Sequence, residues 1–343
     1  MNLKELAESL GLSQTTVSRA LNGYPEVRES TRARVLAAAR AADYTPNARA
    51  RRLATGRAMT IGHVLPLSGK QELVNPIFGD FIVGAGEVYA REGYDLLLSM
   101  TPEGEIDQAY RKMAANGVAD GVMVQAPQLH DPRIDLLREL GLPFLVHGRA
   151  GGDGYSYFDI ANARAFRQAT DLLLDLGHRR IALINGPELQ DFAARRRRGM
   201  EQALEARGLA ANPAWMREGL MTEGSAYDHA AAMLAGTPRP TAFLAASIIQ
   251  AIGVRRAVSD AGLTLGRDVS LVCHDDVLSY LGNVAGARGG PPITATRSSI
   301  RAAGARCAEI LIDLIRNPDQ PLVQELWEVE LVIGRSTGPA PRD

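Results

Sequence analysis

The sequence predicts a small all-α head followed by a larger α/β body, folded as two lobes around parallel sheets. Three observations predict it. The first 45 residues carry apolar side chains at helical spacing broken by Gly11; beyond residue 58, short apolar runs alternate with amphipathic helical stretches; and charge divides between the two parts. Residues 1–57 hold ten Lys/Arg against five Asp/Glu, while the rest hold 28 against 34, inside an overall net charge of −1. A basic head on an acidic body suggests that a polyanion is met by the head alone. With 343 residues and 46% hydrophobic content, the chain can build two or three cores.

In the head, Leu3, Leu6, Ala7 and Leu10 define a first helix that Gly11 stops. Ser13 caps a second helix whose buried face is Val17, Ala20 and Leu21. Two helices joined by a tight glycine turn match the helix-turn-helix pattern, and the start of the second helix should meet base edges. Gln14 can pair with adenine, Thr15 can touch a thymine methyl and Arg19 can pair with guanine. Ser13 and Ser18 suit phosphates. A third helix is expected over 30–42, with Val35, Leu36 and Ala39 inward, Glu29 or Ser30 as cap and Thr31 in reach of a phosphate. Pro46 breaks the preceding helix, Asn47 is a good cap, and Ala48 to Ala54 can form two short turns flanked by Arg49, Arg51 and Arg52, too short to be stable alone. Its Leu53 is either a wedge between base steps or a residue packed on the core.

The body carries strand signals at 60–65, 94–99, 121–125, 143–147, 180–185, 241–245, 269–273 and 293–296. Helical signals fall at 78–91, 162–176, 195–207 and 250–261. In such sheets ligands bind at the carboxyl ends of the strands. No glycine-rich phosphate loop, nucleophile elbow or paired metal-ligand spacing is present, so no cofactor, metal or catalytic residue is expected. Cys273 and Cys307 form no disulfide framework, and the N-terminus has no signal-peptide pattern, so a cytoplasmic location is expected. Of the adjacent Arg195, Arg196, Arg197 and Arg198, at most two can face a cleft. His274-Asp275-Asp276 is a poor metal site, because adjacent strand residues alternate faces.

The run Leu3-Lys4-Glu5-Leu6-Ala7, then Leu12 through Asn22, then Tyr44-Thr45-Pro46-Asn47, resembles the DNA-binding head of the LacI family of bacterial repressors. The resemblance extends through the hinge Ala48–Gly56 and along nearly the whole chain. It implies a helix-turn-helix domain at 1–46, a hinge helix at 47–57 and, at 58–343, a two-lobed core of the periplasmic-binding-protein type (type I). Lobe 1 is expected at about 58–158 and 290–322, lobe 2 at about 159–289 and 323–338, with crossings near 156–160, 286–292 and 320–325. It further implies a homodimer on palindromic operator DNA, read by Leu3, Ser13, Gln14, Thr15, Ser18, Arg19, Asn22 and Thr31. Asn47, Ala50 and Leu53 then occupy the hinge minor-groove positions, with Leu53 intercalating. For a sugar effector the resemblance points to Asn75, Phe78, His147, Arg149, Arg196, Ser247 and Asp275.

Three positions depart from the family's pattern. Ser247-Ile248 stands where Asn-Asp is usual, Ser298 replaces a glutamine and Cys273 a glycine. The segments Val146–Arg149 and Cys273–Leu281 resemble the subgroup that controls alpha-glucoside utilisation, which implies an alpha-linked glucose disaccharide as effector. A regulator with a purine or sugar-phosphate corepressor, and a sugar-cleaving module with a vestigial head, are the alternatives. The tail has no leucine heptad, so a dimer rather than a tetramer is expected.

Overall fold

The computed structural model describes residues 1–21, 24–44, 56–67, 75–283 and 290–342. Asn22, Asn47, Ala50 and Leu53, and with them hinge residues 47–55, lie outside the described residues. In the head, Asn2 Oδ1 accepts from Glu5 N and Glu5 Oε2 accepts from Asn2 N, each at 3.0 Å, so a capping box opens α1 (Leu3–Leu10). Gly11 ends it at φ +63°, a left-handed conformation that favours glycine. Ser13 Oγ accepts from Thr16 N at 3.1 Å and opens α2 (Gln14–Leu21). Leu6, Ala7, Val17, Ala20, Val35 and Ala39 form the core between α1, α2 and α3 (Glu29–Ala41). So few residues share it that Leu6→Ala, at about 2–5 kcal/mol, would remove most of the head's own stability.

Two expectations for α3 are corrected. It starts at Glu29 after Arg28 with no side-chain cap, so neither Glu29 nor Ser30 caps it. Leu36 is exposed at 38%, because α1 and α2 cover only the stripe through Val35 and Ala39.

The body holds two six-stranded sheets. The first contains β1 (Thr60–Pro66), β2 (Asp95–Thr101), β3 (Gly121–Gln125), β4 (Phe144–His147), β5 (Tyr157–Ile160) and, far along the chain, a strand at Gln324–Trp327. The helices α4 (Pro76–Glu92), α5 (Ile106–Asn116) and α6 (Pro132–Leu140) link its early strands. After α7 (Asn162–Asp175), the second sheet takes β6 (Ile181–Ile184), α8 (Asp191–Glu205), β7 (Met216–Arg217), α9 (Glu223–Ala235), β8 (Ala242–Ala245), α10 (Ile248–Asp260), β9 (Ser270–Asp275) and β10 (Thr294–Arg297). Next, α11 (Ile300–Arg316) returns to pack on α4, β11 (Gln324–Trp327) joins the first sheet beside β5, and β12 (Glu330–Val332) the second beside β10. Among the described residues every pairing of these strands is parallel except β10 with β12, and the parallel strands are held by buried apolar runs such as Ile181–Ile184.

The order of strands moves the lobe boundaries. The chain crosses at Ala161, at 298–299 and at 328–329, rather than near 156–160, 286–292 and 320–325. The strand at Thr294–Arg297 therefore belongs to the second lobe, and Gln324–Trp327 to the first. Periodicity marks a strand but not its partner, and both assignments depend on pairing across more than 20 residues. Helix contacts use glycine at close approach: a Cβ on Gly84 would lie 1.9 Å from the Arg301 carbonyl oxygen, and one on Gly199 would lie 2.0 Å from that of Ala163. The second contact brings α8 onto α7 and sets the depth of Arg196.

Candidate functional site

Two surfaces emerge, one on the head and one between the lobes. On α2, Val17 and Ala20 face the core, while Gln14, Thr15 and Arg19 are exposed and Ser18 is half-buried. At 3.6 residues per turn these four polar side chains fall within an arc of about 140°, opposite the buried pair. Ser13 lies at the helix start with its Oγ engaged as the cap, and Thr31 is half-buried at the start of α3. Leu3 is half-buried against the head core.

The cleft between the lobes has a volume of about 630 Å³. Its walls are the carboxyl ends of the first sheet's strands, the start of α4, the residues before and within α8, and the crossings at Ile160–Asn162 and Ser298–Ile300. Five of the seven predicted effector residues line it: Asn75, Phe78, His147, Arg149 and Arg196. Asn75 Oδ1 also caps α4 by accepting from Ile77 N at 3.1 Å. Burial pushes the His147 imidazole down to about 4, so near neutral pH it is an uncharged ring, 4.6 Å from that of Phe81 between centroids.

Among the four arginines, only Arg196 lines the cleft. Arg195 is paired with Asp191, Arg197 with Glu201 and Glu218, and Arg198 is exposed. Arg196 is buried between the rings of Phe166 and Phe192, with centroids 5.2 and 4.8 Å from its guanidinium carbon. Its Nε donates to Asn162 Oδ1 at 2.7 Å and its Nη1 to the Ala246 carbonyl, while Nη2 makes no hydrogen bond among the described residues. Desolvation lowers this guanidinium to about 10, and Asp276 and Asp159 oppose that shift, so it stays charged.

Ser247 and Asp275 are the two predictions the structure corrects. Ser247 is fully buried outside the cleft lining, and its Oγ caps α10 by accepting from Gln250 N at 3.2 Å. Asp275 also lies outside the lining: it accepts from Val277 N at 2.9 Å and Asn283 Nδ2 at 3.2 Å, and faces Arg297 Nε at 3.4 Å. Asp275 is the last residue of β9 and is held by these partners, while the next residue, just past the strand, lines the cleft. That one is Asp276. Its Oδ2 is buried without a hydrogen-bond partner, and burial raises the carboxyl to about 7, against the pull of Arg196.

Sequence reasoning also missed Asp159 and Asn162. Asp159 Oδ2 accepts from Arg149 Nε at 2.7 Å, and its Oδ1 accepts from Asn162 Nδ2 at 3.1 Å. Neither residue carries a motif; the signal available was their place at the end of a strand and the start of a helix. Among the described residues no group of His, Cys, Asp and Glu could hold a metal ion, and no helix is long and apolar enough to cross a membrane.

An exposed polar helix face on a three-helix head, joined to a two-lobed α/β core with a cleft at its strand ends, defines a ligand-responsive DNA-binding regulator. Residues 2–47 match the family of bacterial regulatory proteins called lacI, and residues 170–337 match the periplasmic binding protein-like domain. The chain is 46% identical to the HTH-type transcriptional regulator AglR of Rhizobium meliloti (strain 1021), covering 99% of this chain and 95% of that one. It therefore belongs to the LacI family and is an HTH-type transcriptional regulator. It is also 28% identical to the regulator CelR of Thermobifida fusca, with 97% of each chain covered. Among solved structures, a CelR–cellobiose complex matches with a TM-score of 0.71 at 27% identity, covering 98% of this chain and 99% of that one. A Lac repressor bound to ONPG in the repressed state matches at 0.80 and 25%, with the same coverage.

Proposed function

We propose that the protein represses a carbohydrate-utilisation operon and is released from its operator by a neutral sugar, an alpha-linked glucose disaccharide. The observation that carries the effector half is the charge balance of the cleft. Four aspartates and three arginines line it; Asp131 pairs with Arg133 at 2.6 Å and Asp159 with Arg149 at 2.7 Å. Only Asp107, Arg196 and Asp276 remain outside close ion pairs, so the lining carries no net positive charge to hold a phosphate. The unused Arg196 Nη2 donor and Asp276 Oδ2 acceptor suit a hydroxyl-rich ligand, and the Phe78 and Phe192 rings provide apolar faces for a sugar ring. The size agrees, since pockets of about 300–1,000 Å³ hold small ligands. The cellobiose complex of the related CelR supports a disaccharide; the alpha linkage rests on the segments around Val146–Arg149 and Cys273–Leu281.

On DNA, Gln14, Thr15 and Arg19 are assigned the base edges, Ser13, Ser18 and Thr31 phosphates, and Leu3 and Asn22 supporting contacts. Asn47, Ala50 and Leu53 are assigned the minor groove at the centre of the operator, with a second copy of the chain on the other half-site. The reading gives the chain no catalytic role and a cytoplasmic place of action. Duplex DNA selected from a random pool by the wild-type protein supplies an operator; maltose, sucrose, trehalose and cellobiose are then titrated into the complex. Release by an alpha-linked disaccharide, with cellobiose weaker, is the expected result. Tightening by any ligand, or release by a sugar phosphate alone, would replace this reading with the corepressor or phosphate reading.

A further inference from the structure

At the first lobe crossing the polar side chains form one continuous series. Arg149 Nε donates to Asp159 Oδ2 (2.7 Å), Asn162 Nδ2 donates to Asp159 Oδ1 (3.1 Å), and Arg196 Nε donates to Asn162 Oδ1 (2.7 Å). Arg149 and Asp159 stand at strand ends of the first sheet, and Arg196 on α8 of the second lobe. Asn162 is the first residue of α7, directly after the crossing at Ala161. All four line the cleft, and Asp159, Asn162 and Arg196 are at most 6% exposed.

We propose that Asn162 is a positioning residue that couples the two walls of the effector cleft, holding Arg196 of one lobe in register with the Arg149–Asp159 pair of the other. The proposal rests on reading this cleft as the effector site. An amide can accept from a guanidinium and donate to a carboxylate at once; an aspartate there would oppose Asp159, and an alanine would leave two buried charges each short of a partner. Its location supplies the coupling. Because α7 and α8 are packed together in the second lobe, a change of lobe angle about Ala161 must strain the bond from Asn162 to Asp159. A ligand that touches Arg149 and Arg196 together thereby senses the lobe arrangement, and linkage requires that arrangement to alter its affinity in return.

The test is a double-mutant cycle of Arg149→Lys and Arg196→Lys, run with Asn162 and again with Asn162→Ala. Maltose, sucrose and trehalose affinities are measured by calorimetry, and the same cycle is read on thermal unfolding, which needs no sugar. With Asn162 present the two lysine substitutions should combine non-additively by about threefold or more in affinity; with Asn162→Ala they should combine additively. Asn162→Ala alone should weaken sugar binding about tenfold and blunt the release of operator by saturating sugar. Asn162→Asp, which keeps the bond to Arg196, guards against a folding defect: it should retain sugar binding better than the alanine variant yet lose the coupling. Non-additivity that survives in both variants, or additivity with Asn162 intact, overturns the proposal. A wild-type protein that binds none of the sugars counts against the effector reading instead, while the unfolding cycle still decides the link.

Discussion

The head and the cleft differ in how far apart their parts lie along the chain. The head closes a core from contacts within about 40 residues, and its reading face comes from one helix, α2. The cleft draws on residues from Val64 to Ala303, contributed by both sheets and two lobe crossings. The difference teaches where an intact motif is enough: three exposed side chains on one helix keep their relation wherever the helix goes, whereas Arg196 has meaning only once Gly199 has let α8 settle against α7. It also separates the two functions. DNA contacts should be removable without touching the sugar site, and the reverse.

The largest break should come from Arg196→Ala. It removes the only cleft arginine outside a close ion pair and leaves a buried cavity beside Phe166 and Phe192, so sugar affinity should fall by about 100-fold or more on calorimetry. Operator affinity measured without sugar should stay within about twofold of wild type if the two regions are separable. A parallel loss of operator binding would break the comparison. Next is Arg19→Ala, which should cost operator binding about 10- to 100-fold, the worth of one bidentate base contact, and leave sugar calorimetry unchanged.

Asp276→Asn sharpens the cleft. The carboxyl of Asp276 is raised by burial from its ordinary 3.8 to about 7. A raised folded value means that the contribution to stability is full below the unfolded value and is lost as pH rises through about 7. Wild type should therefore lose stability progressively between about pH 4 and 7 in thermal melts, and Asp276→Asn should lose less. The same change should weaken sugar binding about tenfold at pH 8, since a charge-assisted hydrogen bond is exchanged for a neutral one. Equal melting curves across that range would remove Asp276 as a buried titrating group. The smallest effect belongs to Ser13→Ala, which takes the cap from α2 and should destabilise the head by about 1 kcal/mol, seen as a modest fall in its unfolding midpoint.

Much of this was legible before any coordinates. Gly11, Ser13 and the spacing of Leu6, Val17 and Val35 announced the three helices, and the eight strand signals each found a strand. The missed strands show the limit. Gln324–Trp327 reads as a polar segment because an edge strand is half exposed, and its place beside Tyr157–Ile160 is a tertiary fact. Lobe membership failed for the same reason. In the cleft, side chains that end strands or open helices were found when a motif pointed to them, as with Phe78 and Arg196. Asp159 and Asn162 had no such pointer, since their role is made by the turn of the chain at Ala161. The choice between Asp275 and Asp276 depended on where β9 ends, since Asp275 closes the strand and Asp276 begins the segment that lines the cleft.

Under the proposed function, a neutral sugar in the cleft releases the head from its operator. Fluorescence anisotropy of a labelled, selected operator duplex, titrated with maltose at constant salt, tests it directly. Saturating maltose should weaken operator affinity about 5- to 150-fold in wild type, the range of an allosteric coupling, and do nothing in Arg196→Ala at the same concentration. Unchanged or tightened operator binding in wild type across maltose, sucrose and trehalose would contradict it.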